Sequence, residues 1–270
     1  MPARLPLPAE RLPACCSAPR AEWPLPLALP GLHLYSCRFD PARLQADDFA
    51  RCALPVPERI ARAAAKRQSE YLAGRLCAAS ALAALDGCAR YPERGADHAP
   101  RWPAGTLGSI THSHGWAAAL AGERRLWRGL GIDAERLLDP ARAERLATQI
   151  LTPDERETFL RLPADGRGLH LTLTFSLKES LFKALYPLVG RRFGFQAAAL
   201  LEHDGQRARL ELRENLGGEW TQGSCLHGQF AVHEDRLLSL VGIPAHAATD
   251  APPAPGAGRA TPRQAAPARH

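Results

Sequence analysis

The stretch "TFSLKESLFKAL", residues 174–185, carries leucines at helical spacing and, one turn apart, a glutamate and a lysine. On a helix Leu177, Leu181, Ala184 and Leu188 line up as one apolar stripe, while Glu179, Lys183 and Tyr186 fall on the opposite side. Taken alone, Glu179 and Lys183 read equally well as an exposed ion pair worth ~0.3–0.5 kcal/mol or as two site residues facing a cleft. The choice depends on what the rest of the chain brings to that face.

Upstream, "GLGIDAER" (129–136) reads as a strand, in which alternate side chains share a face. Asp133 and Glu135 therefore project together, and Ile132 and Ala134 turn to the opposite, packing side. Two carboxylates so close repel unless a proton or cation lies between them. A hard divalent ion such as Mg²⁺ suits the pair, and Mn²⁺ accepts the same oxygens. The spacing by itself favours a solvated strand end with two surface acids.

The 270 residues suffice for two modest domains, or one domain with tails, and a 46% hydrophobic content supports a packed core. Residues 1–30 are punctuated by proline and are expected to form an extended arm, with Trp23, Leu25, Leu27 and Leu29 available to pack. Residues 246–270 lack large apolar side chains and are expected to be a disordered tail. Between them, 31–128 opens with a strand at "GLHLYSCRF" and continues with a helix over about 57–85 closed by Gly87. A Pro/Gly-rich loop and two short strands around "LGSITHS" and "WAAALAG" complete this unit. The unit 129–245 starts with the acid-bearing strand. Two helices follow, the second opened by a capping box on Thr152 and Glu155, and then the 174–185 helix. Strands at about 195–201, 207–213, 225–233 and 236–243 end it.

Composition closes off several classes. No apolar run approaches the ~20 residues a membrane span needs, and proline breaks the N-terminal segment too often for a signal-peptide core, so a soluble cytoplasmic protein is expected. The seven cysteines form no C-x-x-C pair, which argues for reduced thiols rather than zinc or a disulfide framework. The net charge of +6 favours acidic or polyphosphate partners, but with 6% aromatics and no nucleic-acid motif a nucleic-acid partner is not expected. There is no P-loop and no G-x-G-x-x-G after a strand, and a lone His170-x-Thr172 lacks the second copy a phosphoesterase would need.

Further ligand candidates lie in the first unit. His112 ends a strand beside Gly115, where it is a binding group or an ordinary turn histidine. Arg67, Tyr71 and Arg75 recur every four residues on the long helix, either as a solvated basic face or as guanidinium groups gripping a phosphate. Trp102 in "RWP" walls a flat heterocycle or packs into the body.

The ordered set "KRQSEYLAGRLCA" (66–78), "WPAGTLGSITHS" (102–113), "GIDAER" and "FSLKESLFKALYPLVG" (175–190) resembles the 4′-phosphopantetheinyl transferases of the Sfp type, in the branch related to enterobactin synthetase component D. The resemblance spans roughly residues 32–243. It implies an α+β fold of two pseudo-symmetric halves, each a small, mostly antiparallel sheet packed with a long helix, with the active site in the cleft between them. It implies transfer of the phosphopantetheine arm of coenzyme A to a serine of apo acyl or peptidyl carrier proteins, as a monomer. By motif, Asp133, Glu135 and Glu179 match the family's magnesium ligands and Lys183 the lysine near the pyrophosphate. Thr111 and His112 match the pair at the coenzyme's 3′-phosphate, with Arg67 and Arg75 lining the same pocket. Glu179 is the expected base for the serine proton, so Glu179 and Lys183 are the expected catalytic pair. Residues 136–160, with Leu146, Ile150 and Leu151 among basic side chains, form a candidate carrier-docking surface or a helix packed into its own domain. The competing reading, an idle carrier-binding module of the same fold, gives no reason to keep three clustered acids.

Overall fold

The computed structural model describes residues 11–245, so the first ten residues of the arm and the 246–270 tail lie outside it. The arm adds β1 (Arg20–Ala21) antiparallel to β2 (His33–Arg38). Proline leaves it few ladder bonds, and side chains of the body supply others. The Gln229 amide donates to the Leu27 carbonyl (3.0 Å) and accepts from the Leu27 N–H (2.8 Å), and the Trp127 indole donates to the Pro30 carbonyl (3.0 Å).

Two short helices, α1 (Asp48–Arg51) and α2 (Glu58–Ala61), precede α3 (Ala65–Asp86). The single helix expected over 57–85 is thus two, interrupted at 62–64. The Gln68 side chain donates to the carbonyls of Ala61 (3.2 Å) and Ala63 (2.8 Å), satisfying groups that a continuous helix would have bonded itself. α3 ends as expected on Gly87, with φ of 76°. A small ribbon of β3 (Glu93–Arg94) and β4 (Pro100–Arg101) lies in the Pro/Gly-rich loop. Then come β5 (Thr106–Ser113), β6 (Trp116–Glu123) and β7 (Trp127–Arg136).

Helices α4 (Pro140–Ile150), α5 (Pro153–Arg161) and α6 (Ala164–Val189) follow. Both bonds of the Thr152–Glu155 capping box are made. The chain finishes with β8 (Ala198–His203), β9 (Arg207–Leu212), β10 (Cys225–His233) and β11 (Arg236–Pro244). The expected strand at 195–201 starts later because 195–197 form a 3-10 turn.

The fold is α+β with antiparallel sheets ordered β1-β2-β6-β5 and β7-β11-β10-β9-β8. In each sheet the strand that precedes the long helix pairs with the last strand, β2 with β6 and β7 with β11. α3 approaches its sheet through small residues, Ala73 and Ala78 meeting Ala117 and Ala119, all fully buried. α6 packs Leu177, Leu181 and Leu185 against Leu210, Leu212 and Val241, each buried leucine contributing ~1.5–3 kcal/mol. Where β5 and β7 meet, hydroxyl groups replace a backbone ladder. Ser109 Oγ accepts from the Ile132 N–H (3.0 Å) and Thr111 Oγ1 from the Ala134 N–H (3.1 Å). This seam is where the two sheets join. Among the described residues, no helix is long and apolar enough to cross a membrane.

Candidate active site

The site begins with two glycines of β7. A Cβ on Gly131 would lie 1.8 Å from the Ser180 carbonyl oxygen, and one on Gly129 would lie 2.3 Å from that of Ala184. Their absence lets α6 lie directly on β7. The Lys183 ammonium then reaches across to Asp133 Oδ1 (2.6 Å) and the Ile132 carbonyl (2.9 Å). Lys183 is therefore paired with Asp133 on the strand, not with Glu179 one turn away. Ile132 and Ala134 are fully buried on the opposite face, as the alternation requires.

Asp133 is 4% exposed, accepts from the Thr111 hydroxyl (3.4 Å), and keeps Oδ2 buried with no partner. Burial, with Asp133 and Glu179 nearby, pushes the Glu135 carboxyl up to about 7 against the opposing pull of Lys183. Glu179 is also held above the ordinary carboxylate range, first by burial and then by Asp133, with Lys183 again opposing. Glu135 thus feels the charge of both other acids, and Glu179 that of Asp133. Among the described residues, however, no three His, Cys, Asp or Glu side chains are gathered into a set ready to hold a metal. The donor chemistry still fits a hard cation: three carboxylates, an orphaned buried oxygen on one, and two whose charged forms are destabilised without a counter-charge.

Across the seam, β5 and α3 bring together a second group. Arg67 Nη1 donates to His112 Nε2 (3.0 Å) and to Glu70 Oε2 (3.2 Å). The ring nitrogen that accepts must be unprotonated, and burial accordingly lowers the His112 pKa, with Arg67 and Lys183 adding to it against Glu70. Arg75 is not on a solvated face. It is 5% exposed, stacks over Tyr71 (4.9 Å), and leaves Nε without a partner. Thr111 is also buried, its hydroxyl committed to β7 and Asp133, so of the Thr111–His112 pair only His112 is accessible.

Four hollows border parts of this region, and Asp133, Arg67, Arg75 and His112 line none of the four. One of about 650 Å³ lies between the two sheets, walled by Trp102, Ile110, Lys183, Tyr186 and Arg192. Another, about 1100 Å³, is bordered by Tyr71, Arg59, Arg94 and His98, and His98 belongs to both. Glu179 opens on a smaller hollow of about 220 Å³ beside Phe182 and Phe193. Glu135 opens on one of about 340 Å³ with Arg142, Leu146 and Phe175.

For residues 136–160 the packing favours a helix against its own domain over a docking surface. Ile150 and Leu151 are core residues, packed with Ala143, Phe159 and Leu171, and offer nothing to a docking partner. Lys178, unremarked in the sequence, is 3% exposed and binds Glu155 (2.6 Å) and the carbonyls of Ile150 (2.9 Å) and Phe195 (3.0 Å). It clamps α6 to α5 and to the entry of β8. The capping-box glutamate was its legible partner, but nothing local linked the two.

Known proteins share these elements. Residues 56–122 match the 4′-phosphopantetheinyl transferase N-terminal domain, and residues 129–238 match the 4′-phosphopantetheinyl transferase superfamily. Enterobactin synthase component D of Salmonella typhi is 34% identical over 192 residues, 71% of this chain and 77% of that protein. The 4′-phosphopantetheinyl transferase Svp of Streptomyces mobaraensis is 34% identical over 204 residues, covering 74% and 82%. The 4′-phosphopantetheinyl transferase PptT of Mycobacterium tuberculosis is 32% identical over 198 residues, covering 69% and 85%.

Proposed function

The chain belongs to the 4′-phosphopantetheinyl transferase superfamily, and on that premise we propose how its residues act. The reaction moves the 4′-phosphopantetheine group of coenzyme A onto a serine of an apo carrier protein and releases adenosine 3′,5′-bisphosphate. The half 31–128 takes the adenosine 3′-phosphate and the half 129–245 performs the transfer. Arg67, Arg75 and His112 bind the phosphate, guanidinium groups matching its oxygens in forked fashion.

Asp133, Glu135 and Glu179 would hold a divalent cation, Mg²⁺ in this reading, and the orphaned Oδ2 of Asp133 supports that assignment. When bound, the cation supplies positive charge against the pyrophosphate of the coenzyme. Lys183 contributes its ammonium to the charge that builds on the leaving phosphate. Glu179 accepts the proton of the serine hydroxyl as its oxygen bonds to phosphorus and the P–O bond to the nucleotide breaks.

The observation that carries this reading is the reach of Lys183 from α6 to Asp133 on β7, beside two further acids and facing the Arg67–His112 group across the seam. Incubating the protein with an apo carrier protein, coenzyme A and MgCl₂ should add one phosphopantetheine to the carrier by intact mass. No gain with either acyl or peptidyl carriers refutes the reading. Full turnover by a Glu179→Gln variant that still binds coenzyme A refutes the base assignment alone.

A further inference from the structure

We infer that Arg236 is a positioning residue for the coenzyme: it ties the strand end bearing His112 to the sheet bearing the acids. The inference rests on the function proposed above.

By its backbone, Arg236 belongs with the acids. It opens β11 opposite Arg136, and within the next three pairs in register Leu237 stands opposite Glu135 and Ser239 opposite Asp133. Its side chain runs the other way. The guanidinium donates to the Ser113 carbonyl (3.4 Å) and stacks 5.0 Å from the Trp116 ring centre, both on the β5–β6 hairpin. Its counter-charge is Asp235 (2.5 Å), which also accepts from Arg136 (3.0 Å). The Arg236 residue is 1% exposed, and a charge so deeply buried is costly to keep. A planar fork satisfies a carboxylate, a carbonyl and a ring face at once, which neither an ammonium nor an apolar chain of equal volume does.

The position of the tie gives it a purpose. Along β5, Ser109 and Thr111 are joined to β7 through their hydroxyls, and Ser113 is joined to β11 through its carbonyl. His112 therefore lies between two fastened residues, Thr111 and Ser113. Beyond Ser113 the chain reverses through His114 and Gly115, both at positive φ, a two-residue turn that transmits any movement directly to the strand end. Without Arg236 this strand end keeps its β6 ladder and the bond from the Phe39 N–H to the Gly115 carbonyl but loses its link to β11, and His112 shifts relative to Arg67. The Lys183–Asp133 contact is held by Thr111 and α6, so it stays. Binding of the coenzyme should suffer while the transfer step is spared.

The test compares wild type with Arg236→Met, Arg236→Lys and Asp235→Asn, measuring coenzyme A affinity by calorimetry and steady-state kinetics with an apo carrier. For Arg236→Met, Kd and KM for coenzyme A should rise roughly tenfold, the order a lost charge-assisted hydrogen bond is worth. The value of kcat should move by less than about threefold, and the carrier KM should be unchanged. Arg236→Lys should restore part of the affinity, and Asp235→Asn should shift it in the same direction by less. A lowered melting temperature with unchanged Kd and KM marks a merely structural residue and overturns the inference. If Arg236→Met does not fold, Asp235→Asn decides: unchanged affinity there overturns it too. Wild type that fails to bind coenzyme A removes the functional reading and this inference together, whereas wild-type binding with unaffected variants removes this inference alone.

Discussion

Substituting Gly131 by alanine tests whether the site depends on α6 lying against β7. The added Cβ would stand 1.8 Å from Ser180 O and 2.8 Å from Ala184 N, both backbone atoms of α6 that no rotamer change can move. The helix must retreat by roughly 1.5 Å to reach ordinary contact distance. The 2.6 Å Lys183–Asp133 contact then opens to beyond hydrogen-bond range, and the fully buried Leu177, Leu181 and Ala184 lose packing on β7 and β11. Overpacking of this kind costs ~1–3 kcal/mol, offset by up to ~1 kcal/mol from the stiffer unfolded chain. With the half-buried ion pair disturbed as well, the net loss should be about 3 kcal/mol, or roughly 6–12 °C in Tm for a chain of this size. Thermal melts followed by circular dichroism would measure it, alongside turnover at a temperature where the variant is folded. Gly166→Ala is the control, because its Cβ meets nothing within 4 Å, and it should be neutral or stabilising. A Gly131→Ala protein that melts within about 2 °C of wild type and turns over normally would refute the close-approach account.

Glu135 gives a pH dependence of definite sign. Its folded pKa of about 7 lies above the ordinary 4.5, so the native state keeps a proton that the unfolded chain has already released. Its contribution to stability should therefore fall as pH rises through that interval, by up to ~3 kcal/mol, and level off above it. Urea melts of wild type against Glu135→Gln at pH 5 and pH 8 isolate the effect, and MgCl₂ should offset it at pH 8 only. A wild type that gains on the variant with rising pH, in the absence of the cation, contradicts the assignment. Lys178→Met strands the buried Glu155 carboxylate and should cost ~3–5 kcal/mol, partly recovered in the double variant with Glu155→Gln, as urea melts would show. Thr111→Val leaves the Ala134 N–H buried and unpaired, a loss of ~1–3 kcal/mol, whereas Thr111→Ser should stay within ~0.5 kcal/mol by the same measurement.

What the sequence reveals divides by the range of the interaction. The capping box on α5, the glycine stop of α3 and the alternation in β7 are local, and each forms where its pattern says. The break between α2 and α3 is local too, yet the carbonyls it frees are met by one side chain, Gln68, and an alanine-rich composition carries no trace of that.

The partner of Lys183 is the harder case. Helical period alone offers Glu179 at one turn, an attraction worth only tenths of a kcal/mol. The strand offers Asp133, half-neutralised by nothing else, at a distance set by two glycines fifty residues away in sequence. "GLGID" held both halves of that answer, since the glycines admit the helix and the aspartate receives its lysine. Their connection becomes physical only when α6 is laid across the strand. The same reasoning explains Ser109 and Thr111. Their alternation is that of any strand with one polar face, and only the meeting of two sheet edges turns it into the joint between the parts of the site.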